Sequence, residues 1–435
     1  MRIAMIGAGY VGLVSGACFA EFGVDVHVVD NDADKVAALR DGRIPIYEPG
    51  LDRLVEDNVR DGRLHFTTSL HEAVRGADAV FLAVGTPTRR GDGHADLSYV
   101  YAAAEQVARA AEGPLVLVTK STVPVGTGRE VQRIVREARP ELDIQVASNP
   151  EFLREGSAIG DFMRPDRVVI GVEDARAEAV LRRLYRPLNL IETPIVATGI
   201  ETAELTKYAA NAFLAVKISF INQIADLCER VGADVHDVSK GMGLDGRIGR
   251  KFLHPGPGFG GSCFPKDTLA LSRTAEQHGA PMSIVDATVR YNDDRKLVMA
   301  ERVIAALGGN AVGKVVAVLG LTFKPETDDM REAASLAVVP RLVEAGATVR
   351  AFDPQGSGHA RQMMPAGVEF PDSAMAAVRG ADAVVLLTEW NEFRAIPPEK
   401  LRDAMRGDAV LDLRNAWEPA AMRQAGLRYQ SIGRP

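Results

Sequence analysis

Cys263 stands in the stretch PGPGFGGSCFPKDT, residues 255–268, with Lys266 three positions on and Asp267 four. A thiolate is a strong nucleophile, but a thiol of pKa ~8.5 is mostly protonated at neutral pH, so a nearby cation such as Lys266 matters. Gly256, Gly258, Gly260 and Gly261 are expected to leave room for a substrate carbon to approach the sulfur. The other two cysteines, Cys18 and Cys228, fall in helical patterns and read as small buried hydrophobes. Sulfur attack on an aldehyde gives a thiohemiacetal; loss of hydride leaves a thioester, which water opens to an acid. That chemistry needs a hydride acceptor.

The N-terminus offers a site for one. Gly7, Gly9 and Gly12 form G-x-G-x-x-G directly after the strand-like RIAMI and at the start of a helical run. The first glycine permits a tight turn, the second lets a pyrophosphate approach the backbone, and the third lets helix and strand pack closely. The pyrophosphate then sits at the positive end of the helix. A second strand, VDVHVVD, ends on Asp30, 18 residues after Gly12, where an acid that holds a ribose belongs. Its charge would repel the 2′-phosphate of NADP, so NAD is the expected cofactor.

Two further polar sets stand at useful spacing. Lys207 and Asn211 are four apart in a helical run and share a face, where a lysine could hold a developing oxyanion. From spacing alone a solvated helix face is slightly the stronger reading. NPEFLREG, residues 149–156, follows a strand and carries Glu151 and Glu155 at a strand end, where ligands gather in doubly wound sheets.

The elements that must position these residues are legible along the chain. Strands expected at residues 79–85, 115–121 and 143–150 alternate with helices, the pattern of a parallel sheet covered on both faces. Residues 201–232 form one long helical pattern without proline, capped by Gly232, with apolar positions around much of its circumference. Such a helix is expected to be buried by another domain or by a second copy of the chain. After Asn310 the opening pattern returns: KVVAVLGLTF resembles RIAMIGAGYV, and a second strand ends on Asp353 as the first did on Asp30. The glycine spacing does not return, so the scaffold repeats and the ligand does not. The expected fold class is α/β: two doubly wound Rossmann-like domains joined by a long central helix and a helical dimerisation domain. The expected boundaries are 1–198, 199–300 and 310–435.

With 435 residues, 46% hydrophobic and 25% charged, the chain has material for two or three globular domains. A net charge of −7 argues against non-specific nucleic-acid binding. No apolar run approaches the ~20 residues that span a bilayer, and the opening strand leaves no room for a signal peptide. Three scattered cysteines make neither a disulfide framework nor a metal site, so no metal is expected and a reducing cytoplasm is the natural setting.

In order, MIGAGYVG, STVPVGT, NPEFLREG, ELTKYAANAFLAVKISFINQ, GPGFGGSCFPKD and FKPETDDMRE resemble the motifs of the UDP-glucose/GDP-mannose dehydrogenase family over essentially the whole chain. The resemblance implies a two-step, four-electron oxidation of UDP-glucose to UDP-glucuronate with two NAD molecules, in a homodimer or larger homo-oligomer. It makes Cys263 the nucleophile, Lys207 the oxyanion stabiliser and Asp267 the acid that helps activate water. Asn211 then binds substrate, while Thr122 and Glu151 position the catalytic water and polar network. For the cofactor it implies Val11, Asp30, Lys35, Thr86, Thr122, Glu155, Lys266 and Arg331 beside the glycine turn. For the sugar nucleotide it implies Glu151, Phe152, Leu153, Arg154, Glu155, Lys207, Asn211, Phe252, Leu253, His254, Pro255, Gly256, Gly260 and Lys324, with Arg247 reaching a partner subunit's site. Phe323 and Lys324, an aromatic and a cation, suit a uridine diphosphate better than an NAD pyrophosphate.

Three rival readings remain: the same chemistry on GDP-mannose or a UDP-N-acetylhexosamine, a one-step alcohol dehydrogenase with an idle Cys263, and a non-catalytic NAD-binding sensor.

Overall fold

The computed structural model describes residues 1–89 and 93–435. The chain divides into two compact units, Met1–Ala210 with Arg273–Gly279, and Asn211–Ser272 with Ala280–Pro435.

The first unit is built on eight strands: β1 (Arg2–Ile6), β2 (Asp25–Val29), β3 (Leu64–Thr67), β4 (Ala79–Leu82), β5 (Leu115–Thr119), β6 (Ile144–Ser148), β7 (Val168–Gly171) and β8 (Ile195–Thr198). They lie in the order β3-β2-β1-β4-β5-β6-β7-β8. The first six strands are parallel in the doubly wound order, and β7 joins β6 antiparallel. Alternate residues serve opposite faces. Ile3 and Met5 of β1 enter one apolar core, Ala4 and Ile6 the other. Because both faces are covered, these strands read as continuous apolar runs, each buried Ile or Leu contributing about 1.5–3 kcal/mol. Strands β7 and β8 were not legible in the sequence.

The second unit carries β9 (Val315–Leu319), β10 (Thr348–Phe352), β11 (Ala383–Leu386), β12 (Ala409–Asp412) and β13 (Arg428–Ser431), all parallel in the order β10-β9-β11-β12-β13. Val316 and Val318 of β9 face one core, Ala317 and Leu319 the other, repeating the arrangement of β1.

Four helices position the chemistry: α1 (Tyr10–Glu21), α2 (Thr127–Ala138), α3 (Ile200–Val231) and α4 (Phe264–Gln277). α1 starts inside the glycine motif, earlier than its apolar run suggests, so Gly12 is a helical residue. α3 has the length expected, and the boundary between the units falls within it. No helix among the described residues is long and apolar enough to cross a membrane.

Candidate active site

At the C-terminal end of β1 the chain turns at Gly7, whose φ is 105° and whose N–H donates to Val29 O at 2.7 Å. A Cβ on Gly7 would stand 2.6 Å from the Ala83 carbonyl oxygen, and one on Gly12 would stand 1.9 Å from that of Gly7. Both glycines are dictated by packing. Gly9 is different: its φ of −78° suits any residue, and no protein atom lies within 4 Å of its Cβ position. Packing does not demand a glycine there, and the open space at the first turn of α1 fits the close approach of a dinucleotide pyrophosphate.

Asp30 ends β2 beside this turn. Its carboxylate accepts from Ala8 N at 2.9 Å, Asp32 N at 3.1 Å and Lys35 Nζ at 3.0 Å. Burial works against its charge, but these amides and the ammonium hold its carboxyl below the usual range. Asp30 and Lys35, both read as cofactor residues, therefore form one pair. Thr86 Oγ1 donates to Thr122 O at 3.1 Å, bringing two more of the proposed cofactor residues together. Val11 is partly buried in the first turn of α1.

After β6, the NPEFLREG segment folds around a buried ion pair. Glu151 Oε1 lies 3.2 Å from Lys207 Nζ, and Glu151 Oε2 accepts from Leu153 N at 2.5 Å. The Lys207 ammonium also lies 5.2 Å from the centre of the Phe152 ring, whose face carries Arg167 at 3.6 Å. Arg154 is turned to Asp161, which it meets through its backbone N–H, Nε and Nη2. Glu155 is partly buried, and its charge is felt by Tyr10.

Three residues that the sequence reading missed hold this region. Glu48, buried, accepts from Gly156 N at 2.6 Å, Ala158 N at 2.8 Å and the Tyr10 hydroxyl. Glu204, one turn before Lys207, accepts from Gly126 N at 2.8 Å and Gly128 N at 2.7 Å at the N-terminus of α2. Burial pushes its carboxyl up to about 7 against the pull of those two amides. Lys120, wholly enclosed, donates to Asn149 Oδ1 at 3.0 Å and Tyr185 Oη at 3.1 Å. Burial drives its ammonium down to about 7.

In the second unit, Cys263 is the residue from which α4 springs: its carbonyl accepts from Asp267 N at 2.8 Å. Pro265, second in the helix, has no N–H to leave unpaired there. The half-buried sulfur thus belongs to the positive end of a 14-residue helix, which favours a thiolate. This helix end is a second source of positive potential beside Lys266, one that the local motif does not display. Lys266 Nζ lies 2.9 Å from Asp267 Oδ1, so the carboxylate balances part of its charge. Asp267, buried, also accepts from Asn211 Nδ2 at 2.7 Å.

The glycines of the loop correct an expectation. What their missing side chains vacate is not open space. A Cβ on Gly256 would meet the Arg414 guanidinium at 3.2 Å, and one on Gly258 the Asn292 Oδ1 at 3.0 Å. On Gly260 it would meet the Glu332 carbonyl oxygen at 2.4 Å, and on Gly261 the Phe323 ring at 2.8 Å. The spaces are filled by protein: Gly260 and Gly261 pack close against the 320–333 segment, Gly256 and Gly258 against Arg414 and Asn292. Gly261 N donates to Arg331 O at 2.8 Å.

Buried polar side chains then fix the loop. Asn222 Oδ1 accepts from Gly256 N at 2.8 Å, Arg295 Nε donates to Gly256 O at 2.7 Å, and Asn292 grips both N and O of Phe259. Of residues 252–256, Leu253, Pro255 and Gly256 are buried and His254 is exposed. Phe252 holds a left-handed φ of 64°, a strained conformation for an aromatic residue.

Lys324 Nζ lies 5.3 Å from the centre of the Phe323 ring. Arg414, not singled out in the sequence, adds a second cation here, donating to Phe323 O at 2.7 Å and Leu387 O at 2.7 Å. The second acid of the repeat is closed off. Asp353 is buried under the amides of Leu321, Thr322, Gln355 and Gly356 and the Trp390 indole, so it braces its own turn. Arg331 is clasped by Asp329, and Arg247, largely exposed, by Asp245.

Comparison with known proteins agrees with this geometry. The NAD binding domain of the UDP-glucose/GDP-mannose dehydrogenase family matches residues 1–189, its central domain 201–294 and its UDP binding domain 317–419. A UDP-glucose 6-dehydrogenase of Rhizobium meliloti (strain 1021) is 59% identical over 437 residues, covering 100% of both chains. The chain belongs to the UDP-glucose/GDP-mannose dehydrogenase family. Among solved structures, a UDP-glucose dehydrogenase from Pyrobaculum islandicum superposes with a TM-score of 0.92 at 41% identity, covering 100% of this chain and 98% of that one. A UDP-D-ManNAc dehydrogenase from Pyrococcus horikoshii gives 0.87 at 28% identity, covering 100% and 99%. The family fold, two Rossmann-like sheets and a long central helix, is the one described above, and its cofactor is NAD.

Proposed function

We propose that the chain is an NAD-dependent UDP-glucose 6-dehydrogenase that oxidises UDP-glucose to UDP-glucuronate. The observation that carries the reading is Cys263 at the head of α4, with Asp267 buried one turn on and held by Asn211. The 59% identity to a UDP-glucose 6-dehydrogenase selects the sugar over the UDP-D-ManNAc of the more distant relative.

When bound, NAD accepts hydride, once from the C6 alcohol and, as a second molecule, once from the thiohemiacetal. The Cys263 sulfur forms a bond to C6 of the aldehyde, and that bond breaks when water opens the thioester. Asp267 takes a proton from the attacking water, and Lys207 balances the oxyanion. Lys324, Arg414 and the Phe323 ring supply cations and an aromatic face for the uridine diphosphate. One alcohol, two NAD and one water give one acid, two NADH and two protons.

Counting NADH against UDP-glucose tests this: two per substrate are expected, with Cys263→Ser losing the acid product. One NADH per substrate would make the enzyme a one-step alcohol dehydrogenase. No signal with UDP-glucose beside a strong signal with GDP-mannose or a UDP-N-acetylhexosamine would move the substrate.

The same reading makes the chain a cytoplasmic homodimer or larger homo-oligomer, divided as 1–198, 199–300 and 310–435. Exposed Phe213, Phe220 and Leu227 recur every seven residues on α3, an unpaired apolar stripe that suits a second copy. Phe220→Glu should turn the oligomer into monomer by light scattering; a monomeric parent would refute the assembly.

A further inference from the structure

We propose that Asp25, His27 and His65 form a binding site for a transition-metal ion of the Zn²⁺ class. Asp25 and His27 are two apart on β2 and therefore face the same side of the sheet. His65 of the edge strand β3 is paired in register with His27. Their rings stack with centres 4.5 Å apart.

His27 Nε2 and His65 Nε2 lie 3.2 and 3.3 Å from the same Asp25 Oδ1, and the three atoms fall within 4.8 Å of one another. Neither nitrogen makes an aligned hydrogen bond to that oxygen, which is shielded from solvent without a hydrogen-bond partner. Three donor atoms crowded together without an aligned hydrogen bond are an arrangement that a shared cation satisfies. Bond lengths of ~2.0–2.1 Å at a tetrahedral Zn²⁺ put its ligand atoms about 3.3–3.4 Å apart, close to the two nitrogen–oxygen separations here. Two imidazoles and one carboxylate select Zn²⁺, Co²⁺ or Ni²⁺ over Ca²⁺ or Mg²⁺, with water completing the shell.

Arg2, paired in register with Asp25, is the opposing charge, and Asp25 and Glu72 are the acids against it. Asp25 begins β2, whereas Asp30 and the glycine turn lie at the other ends of the parallel strands. The ion would clip the four-residue edge strand β3 to β2, away from hydride transfer.

The test uses the full chain carrying Cys263→Ser, which removes the half-buried thiol as a competing ligand, stripped with a chelator and titrated with Co²⁺. One Co²⁺ per chain with the intense visible absorption of tetrahedral coordination is expected, and Zn²⁺ should displace it and raise Tm. His65→Gln and Asp25→Asn, each confirmed folded by circular dichroism, should weaken binding at least about tenfold. His65→Gln with Cys263 intact should keep dehydrogenase activity. Absence of Co²⁺ binding at about 100 µM, or binding unchanged in both variants, overturns the site.

Discussion

Asn211 Nδ2 donates to Asp267 Oδ2 at 2.7 Å, while Lys266 Nζ stands 2.9 Å from the other oxygen of the same carboxylate. A buried carboxylate held on both oxygens is fixed in orientation, as a group that must take a proton from water requires. Asp267→Asn keeps the shape, removes the proposed base and leaves Lys266 unbalanced. We expect kcat for acid formation to fall by about 10²–10⁴. Breaking a buried pair also costs up to about 3–5 kcal/mol, to be checked by denaturant unfolding. Unchanged kcat with lowered stability would reduce Asp267 to a structural residue.

Asp30 braces the glycine turn, since its Oδ2 accepts from Ala8 N, beside its proposed role at the cofactor ribose. Asp30→Ser removes the charge that repels a 2′-phosphate, and it loosens the turn. The ratio of kcat/KM for NAD over NADP should fall about 10- to 100-fold, measured with both cofactors in one preparation. An unaltered ratio would place the ribose elsewhere.

Much of this arrangement was legible in the sequence, and the reason is local. G-x-G-x-x-G, the strand ending on Asp30 and the uninterrupted α3 each declare themselves within some 30 residues, because backbone geometry imposes their patterns. What escaped is held over distance. Glu204 caps α2 from 78 positions along the chain, and Asn292 grips Phe259 from 33. A lone polar residue in a helical run looks the same whether it faces water or a buried amide. The loop glycines misled for a related reason: a missing Cβ admits a ligand or a protein backbone equally, and at Gly260 the occupant is the carbonyl of Glu332. Arg414 carried no signal at all, since it meets Phe323 from 91 positions along the chain.

Lys120 links stability to pH. Burial lowers its ammonium from 10.5 to about 7, with Glu151 opposing that shift and Lys207 adding to it. Between those values the unfolded chain holds a proton that the folded chain has released, so this group's contribution to stability rises with pH across the window. Below pH ~7 both states are protonated and the burial cost is felt in full. Lys120→Met removes the titration. Its Tm advantage over the parent should be greatest near pH 6 and shrink towards pH 9, by at most about 1.4 kcal/mol per pH unit. Parallel Tm profiles would mean that Lys120 keeps its proton throughout.

Gly9 and Gly12 separate ligand from fold in one comparison. A methyl group on Gly12 would collide with the Gly7 carbonyl at 1.9 Å, a backbone contact that cannot move without opening the α1–β1 turn. Gly12→Ala should therefore lower Tm and weaken NAD together, by about 1–3 kcal/mol of stability. A methyl group on Gly9 meets no protein atom within 4 Å and an ordinary φ of −78°. Gly9→Ala should leave Tm of the ligand-free protein unchanged, or raise it slightly through loss of unfolded-state entropy. Its NAD affinity, read by quenching of intrinsic fluorescence or by calorimetry, should nevertheless fall at least about tenfold, because the methyl would occupy the space proposed for the pyrophosphate. Equal NAD affinity in Gly9→Ala and the parent would mean that the dinucleotide does not cross this turn.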